Sequence, residues 1–511
     1  MTVMTMNQTL PTPICDFVQR YALSGTARFH MPGHKGLYPH DITEIQGADS
    51  LYEAAGIIHE SEGYAAQLFG TAATFYSTEG SSQCIRAMLA LATCFRPCDN
   101  FNSGNSNSKN HSASEYSHTS SRPVILAARN VHRAFITAAA LLDLDVKWLY
   151  PEDSSYSLCS CHITAEQIRN AISSMDVKPA AVYITSPDYL GNIADIKAIS
   201  QVVHEYGIML LVDNAHGAYL HFLKQPIHPI DLGADMCCDS AHKTLPALTG
   251  CAYLHISNNA PSSCISNARR ALSMFGSTSP SYLLLQSLDK VNEYLSGDWP
   301  HRLAECIDKI EECKKFITDC GFVIMSENFL NGHYKANNAG VNNPRLSNNN
   351  HNTFYGYSFE PCKITICASK SGINGLKFAD ELRKYKIECE YADPDFVVLM
   401  ISPDNSDNDL NRLCEAVRGI AAAYKIEAHQ SDHNDIRTLP ALRPVQAMSI
   451  REAFLSCSRE VTVDEAVGMV CADTAITCPP AIPIVVCGEI IPDSALPIFK
   501  HYNIDKISII D

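Results

Sequence analysis

Between residues 73 and 256, short apolar runs alternate with amphipathic stretches of helical period. Strand-like runs fall at Ala73–Ser77, Val124–Ala128, Val146–Tyr150, Ala180–Thr185, Ile208–Asp213 and Thr249–His255. Helical patterns lie between them, from Gly80 to Phe95 and over Val131–Leu142, Thr164–Ser174 and Asp195–Tyr206. Strands joined by crossover helices run parallel, so the alternation predicts an α/β fold with a largely parallel sheet covered on both faces. Ligands of such sheets bind beyond the C-terminal ends of the strands. Ser77–Ser82, Arg129–His132, Thr185–Tyr189 and Asp213–His216 all fall just past strand ends. A site is therefore expected along this one rim.

The residues at the rim suggest a chemistry. Asp213 closes the apolar run Ile208–Val212, and Lys243 follows in Ser240-Ala-His-Lys-Thr244. A lysine amine can form a Schiff base with an aldehyde cofactor. An acid can keep a pyridine nitrogen protonated, so that the ring accepts electrons. Together they fit pyridoxal 5′-phosphate, although Lys243 alone would read as a surface lysine. Glu79-Gly80-Ser81-Ser82 opens a helix whose free N–H groups suit a phosphate, or form a plain serine cap. Arg28–Gly36 reads as a rigid loop in which His34 and Lys35 either meet an anion or pack under the core. Cys159-Ser-Cys161-His162 lacks a second ligand pair, so no metal site is expected.

Length and composition bound the rest. The 511 residues suffice for two or three domains. The expected division is a 1–60 arm with an active-site loop, a 61–320 large domain, a 321–428 small α+β domain and a 429–511 linker with a C-terminal unit. Residues 12–22 read as a packing helix, Ser61 as the cap of a helix over Glu62–Phe69, and Ser281–Cys320 as one long helix. In the small domain, strands are expected at Phe322–Met325, Lys363–Ala368 and Phe396–Ile401, with helices at Gly375–Tyr385 and Asp407–Tyr424. Cys478–Glu489 reads as a rigid turn with a short apolar strand. Cys98–Arg122 and Ala336–Asn352 are Asn/Ser-rich and nearly free of aliphatics, so both are expected to be mobile surface insertions. His429–Pro444 reads as a linker. A net charge of −16 argues against a nucleic-acid partner. No run has the length of a membrane helix, and the start has no leader pattern. The 21 cysteines follow no regular framework and read as buried thiols of a reducing cytoplasm.

With these residues in view, the chain resembles the Orn/Lys/Arg decarboxylase family, in the shorter bacterial form without the wing domain. The motifs are Phe29-His-Met-Pro-Gly-His-Lys-Gly36, Asp41-Ile-Thr-Glu44, Ser61-Glu-Gly-Tyr-Ala-Ala66, Arg129-Asn-Val-His132 and Ser186-Pro187. They continue with Asp213-Asn-Ala-His-Gly-Ala218, Gly233-Ala-Asp-Met236, Ser240–Leu248, Ser279-Pro-Ser-Tyr282 and Pro479-Pro-Ala-Ile-Pro483. The match spans roughly residues 24–510 outside the two insertions. It implies a fold-type I PLP-dependent large domain, a smaller α+β domain, and decarboxylation of a basic amino acid, arginine ahead of lysine and ornithine.

Role by role, the resemblance makes Lys243 the cofactor lysine, Asp213 the ring-nitrogen partner and His132 the histidine stacked on the ring. It sets His216 and Ser186 by the ring face and phenolic oxygen. Gly80, Ser81, Ser82, Ser240 and His242 would hold the phosphate, and Lys243 or His242 would return a proton to Cα. Thr278 and Ser279 would reach a neighbouring subunit's site, which implies a homodimer or higher homo-oligomer. The phosphate loop departs from the family at Glu79–Cys84. Asp188 and Asp473 stand where relatives carry Thr and Glu, and are candidates to contact a cationic side chain or are plain surface acids. Transamination, β-elimination and a non-catalytic role are the alternative readings.

Overall fold

A computed structural model describes residues 9–95, 122–151, 157–326, 357–426, 439, 442–474 and 481–511. Nearly all of both Asn/Ser-rich insertions and most of the expected linker lie outside the described residues.

Seven strands form the main sheet: β1 (Ala73–Ser77), β2 (Val124–Ala128), β3 (Asp145–Leu149), β4 (Ala181–Thr185), β6 (Met209–Asp213), β7 (Met236–Asp239) and β8 (Ala252–Ile256). A short strand, β5 (Asn192–Ala194), follows β4 outside this sheet. The order is β1-β8-β7-β6-β4-β2-β3. β3, β2, β4, β6 and β7 pair in parallel, and only β8 runs against its neighbours. β1, being antiparallel to β8, points the same way as the parallel strands. The registers Thr185↔Asp213 and Asp213↔Cys238 align the C-terminal ends.

Side chains alternate across each strand. Ile125, Ala127, Tyr183 and Leu211 therefore enter one core, with α3 (Ser81–Thr93), α4 (Arg133–Leu141) and α8 (Ser262–Ser273). Leu126, Ala128, Val182 and Val212 enter the opposite core, under α5 (Ala165–Ser173) and α6 (Ile196–Glu205). Thr164 caps α5 in a reciprocal capping box with Gln167, and Asp195 caps α6. α1 (Pro13–Leu23) packs through Ile14 and Val18, and the N–H groups of Ile14 and Cys15 donate to Asp289 at 3.0 and 2.9 Å.

A second sheet joins β9 (Val323–Ile324), β11 (Lys363–Cys367), β12 (Tyr391–Ala392) and β13 (Phe396–Met400) in the order β12-β13-β11-β9, entirely antiparallel. Helices Gly375–Lys384 and Asp407–Tyr424 accompany it. β10 (Tyr357–Phe359) leaves this region and pairs with β5.

Three expectations need correction. Ser61 is no cap. The helix begins earlier, as α2 (Ile57–Phe69), and Ser61 is buried within it, donating to Asp289 at 2.6 Å and bonded to the Tyr76 hydroxyl. A buried acid needs such donors, and this need recruits the serine. The long helix is two, α9 (Tyr282–Ser296) and α10 (Trp299–Asp319), interrupted at Gly297. Pro300 in the first turn of α10 has no N–H to continue an earlier helix. Ile482–Cys487 is buried but irregular; only isolated bridges at Glu489 and Ile490 follow.

Candidate active site

The aligned strand ends open onto a cavity of about 430 Å³. Loops after β1, β2, β4, β6 and β7 each contribute to its wall, as parallel strands require. From β1 come Gly80, Ser81 and Ser82; from β2, Asn130 and His132; from β4, Thr185, Pro187 and Tyr189. β6 supplies Asp213, Ala215 and His216, and β7 supplies Ser240, His242 and Lys243. Ala481 and Ile482 of the C-terminal unit also line it.

Asp213 is buried with three donors on its carboxylate. Oδ1 accepts from Ala215 N at 3.2 Å and Cys238 Sγ at 3.6 Å, and Oδ2 from the Tyr183 hydroxyl at 3.2 Å. Lys243 lies on the one-turn helix α7 (Ala241–Thr244). Burial lowers its amine's pKa from the usual lysine range, against the pull of Asp213. Its Nζ is 3.0 Å from His216 Nε2. His132 caps α4, its Nδ1 accepting Ala134 N–H at 3.2 Å. Burial, opposed by Asp213 and reinforced by Lys243, brings its pKa down to about 4. The ring is thus neutral and lines the cavity, as a stacking partner must. His242 Nδ1 meets the Cys251 carbonyl at 2.9 Å, which leaves Nε2 for proton transfer.

The loop at β1 has the features of a phosphate cradle. Gly80 has φ +70°, and a Cβ built there would meet nothing within 4 Å. α3 starts at Ser81 with no side chain capping it, and Ser240 Oγ donates to Ser81 Oγ at 2.9 Å. Free N–H groups at a helix start, with hydroxyls beside them, suit an anion. The departures at 79–84 prove largely internal. Gln83 bonds Ser77, Tyr52 and the Leu272 carbonyl, and Cys84 is buried in the core, its thiol pushed up to about 12 by burial. Glu79 stays on the wall, with Oε1 accepting Ser277 N–H at 3.3 Å. These residues fit pyridoxal phosphate: cradle, ring partner, stacking histidine and lysine share one cavity.

Other residues singled out from the sequence do not line this chain's cavity. Ser186 is buried, and its Oγ accepts Ala194 N–H at 3.1 Å; Thr185 and Pro187 line the cavity instead. Thr278 and Ser279 are exposed and outside the cavity of their own chain. Asp188 is neither a surface acid nor open to substrate. Its Oδ1 accepts the N–H groups of Leu190, Gly191 and Asn192, and Oδ2 accepts Asn192 Nδ2 at 2.6 Å. Burial pushes it up to about 6. Asp473 accepts Ser508 N–H at 2.7 Å and does not line the cavity. His34 pairs with Asp41 at 3.2 Å and Lys35 with the His30 carbonyl at 2.6 Å, in a loop that leaves Phe29 95 % exposed rather than under the core.

Behind α7, Asp239 lies between two fully buried histidines, His228 at 3.0 Å and His255 at 3.2 Å. Its other oxygen accepts Asn214 Nδ2 at 2.7 Å. Burial alone would raise this carboxyl; the two histidines outweigh it and hold it well below the usual range. Asp239→Asn is expected to cost about 3–5 kcal/mol at pH 7, because two buried donors lose their anion. A depressed carboxyl's contribution is fully present above its unfolded pKa of about 3.9 and is lost progressively as pH falls from there toward its lower folded pKa. Urea unfolding should therefore show the gap between wild type and variant narrowing below about pH 4.

Residues 92–409 match the family model for the Orn/Lys/Arg decarboxylase major domain. The chain belongs to the Orn/Lys/Arg decarboxylase family. An arginine decarboxylase of Bacillus subtilis (strain 168) is 28% identical over 96% of this chain and 94% of its own length. Among solved structures, the Francisella novicida lysine decarboxylase superposes with TM-score 0.74 at 17% identity, over 98% of this chain and 81% of that one. The E. coli constitutive lysine decarboxylase gives 0.71 at 16%, over 98% and 82%. These two show the fold, the fold-type I architecture of the family's decarboxylases. The fold shared with these decarboxylases thus carries the cavity described above.

Proposed function

We propose that this chain decarboxylates a basic amino acid, arginine first, to the corresponding amine and CO₂, with pyridoxal phosphate held on Lys243. The carrying observation is that Asp213, Lys243 and His132, from three separate strand ends, meet in one cavity of a family-matched fold.

Bound there, pyridoxal phosphate supplies an electron sink for the pair of electrons released with CO₂. The chain's residues do the rest. Lys243 presents an amine whose protonation burial disfavours, ready to bond the aldehyde. Asp213, held by its three donors, keeps a negative charge at the ring nitrogen. Gly80, Ser81, Ser82 and Ser240 bind the phosphate, and His132 packs on the ring. His242 Nε2 or Lys243 Nζ returns the proton to Cα. Glu79 on the wall, and Glu390 behind Tyr189, whose hydroxyl donates to it at 2.7 Å, are the carboxylates placed to attract a cationic side chain.

The active unit is a homodimer or larger, in the cytoplasm. Two exposed features support the first part: the Thr278–Ser279 loop, and the apolar loop with Phe29, Met31, Leu37 and Tyr38 in solvent. Free thiols at every described cysteine support a reducing compartment. Among the described residues, no helix is long and apolar enough to cross a membrane.

The purified protein, given arginine, lysine or ornithine with the cofactor, is expected to release CO₂ and an amine, fastest from arginine. Absence of CO₂ from all three would remove this reading.

A further inference from the structure

Lys363 opens β11 in the small sheet, yet its ammonium ends behind His216, a residue of the active-site wall. The residue is fully buried and ion-paired to Glu360, equally buried, at 2.8 Å. The pairing of β10 with β5 brings it there, continued by Glu360 N–H on the Gly191 carbonyl at 2.8 Å. Gly191 has φ +103°, and a Cβ on it would stand 2.9 Å from the Phe359 ring and 3.4 Å from Lys363 Cδ. Glycine is what lets the two segments approach. A buried ion pair is poor evidence of stabilisation, since desolvation offsets the attraction. Its position suggests another use.

Nζ of Lys363 lies 3.4 Å from the Asp188 carbonyl and 3.4 Å from His216 Nδ1. On the far side of the same ring, His216 Nε2 is 3.0 Å from Lys243 Nζ. An ammonium only donates, so Nδ1 accepts and the neutral ring carries its proton on Nε2. Nε2–H then donates to Lys243 Nζ, which can accept only as the free amine. Burial, with Lys243 and Lys363 on either side, holds His216 well below the usual histidine range, so the ring stays neutral. Tyr189 packs edge-on against it at 4.8 Å between centroids and fixes its plane.

We propose that Lys363 is a positioning residue of the active site: through His216 it keeps Lys243 a free amine, so that docking of the small sheet prepares the lysine. The proposal rests on the cofactor role given to Lys243 above. Around Lys243 stand Asp213, Cys238, His132, His216, His242, Lys363 and Glu390. Burial and Lys363 favour the free amine; Asp213 and Glu390 favour the ammonium. Lys363 itself faces Glu360, His216, Lys243 and the Asp188 carboxyl, besides the Asp188 carbonyl.

The test is competitive acetylation of the full-length chain freed of cofactor, at pH 6–10 on the order of one unit per step. Peptide mass spectrometry follows Lys243, with a lysine peptide as internal reference. In wild type, Lys243 should acetylate at a lower pH midpoint than the reference. The double variant K363M/E360Q removes both members of the ion pair and should raise the midpoint by about one pH unit. E360Q alone keeps the cation without its counter-ion and should lower it. K363R, a donor-only cation like lysine, should rescue the wild-type midpoint. Should the double variant fail to fold by circular dichroism, E360Q and K363R decide. A wild-type midpoint in both K363M/E360Q and E360Q overturns the proposal, as does one for K363R that rises with K363M/E360Q. The midpoint is read without substrate or turnover, so a failed CO₂ assay would sink the functional reading and not this one.

Discussion

Lys243→Ala is expected to lower decarboxylation by about four orders of magnitude or more. The same substitution should abolish the visible absorbance that pyridoxal phosphate acquires on covalent attachment. The loss is chemical, since the backbone of α7 does not depend on the side chain. Lys243 N–H donates to the Ser240 carbonyl at 3.1 Å and Leu245 N–H to the Ala241 carbonyl at 2.8 Å, and alanine preserves both. What disappears is the amine at the cavity wall and its contact with His216. Activity and absorbance are measured on protein whose circular dichroism matches wild type. Retained activity would remove Lys243 from its assigned role, whatever the substrate.

Asp213→Asn should reduce kcat by about 10²–10³-fold, with little change in melting temperature. Asparagine matches the shape of the carboxylate and keeps an acceptor for Ala215 N–H. It removes the negative charge required at a protonated ring nitrogen, and if its amide nitrogen faces Tyr183 it meets a donor with a donor. Tyr183→Phe separates the two effects. It takes away one hydrogen bond, at 3.2 Å, while leaving the charge, so a fall of about tenfold or less is expected. Steady-state kinetics with both variants, alongside a cofactor titration, checks the order. An Asp213→Asn enzyme within tenfold of wild type would show that the charge is not what the site uses.

The sheet was legible because its signals are local. Val124–Ala128 and Asp407–Tyr424 fall where their patterns place them, Asp145–Leu149 differs by one residue at each end, and Met209–Asp213 starts one residue late. Strands buried on both faces read as unbroken apolar runs, and the parallel frame then puts their C-terminal loops on one side. For that reason Gly80–Ser82, His132, Asp213 and His216 could be gathered from scattered segments; Lys243 followed from its chemistry, and Ser240 and His242 from the family resemblance, and all of them line the cavity.

The errors share a different cause. Ser61 and Asp188 are polar residues whose partners lie on other elements or on backbone shaped by a turn. Ser61 is bonded to Asp289, 228 positions away. Asp188 is consumed by three successive backbone N–H groups, Leu190 to Asn192, where the chain turns into β5. No periodicity reports such demands; the need to satisfy a buried donor or acceptor arises only once packing excludes water. Tyr189 stood within an expected rim segment, but nothing in the chain pointed to its contacts with His216 and Glu390.

The sequence by itself thus determined the parallel α/β frame, the rim on which the site lies, and the Asp213–Lys243 pair that names its chemistry. These follow from side-chain period and residue type, which act over a few positions. Only the tertiary structure decided which residues adjust that pair. Lys363 is 147 positions from His216 in the chain and reads there as the polar start of an apolar strand. It reaches the site because β10 pairs with β5 and Gly191 admits the approach. Burial then makes its charge felt through a histidine ring, a consequence of excluding water that no local pattern encodes.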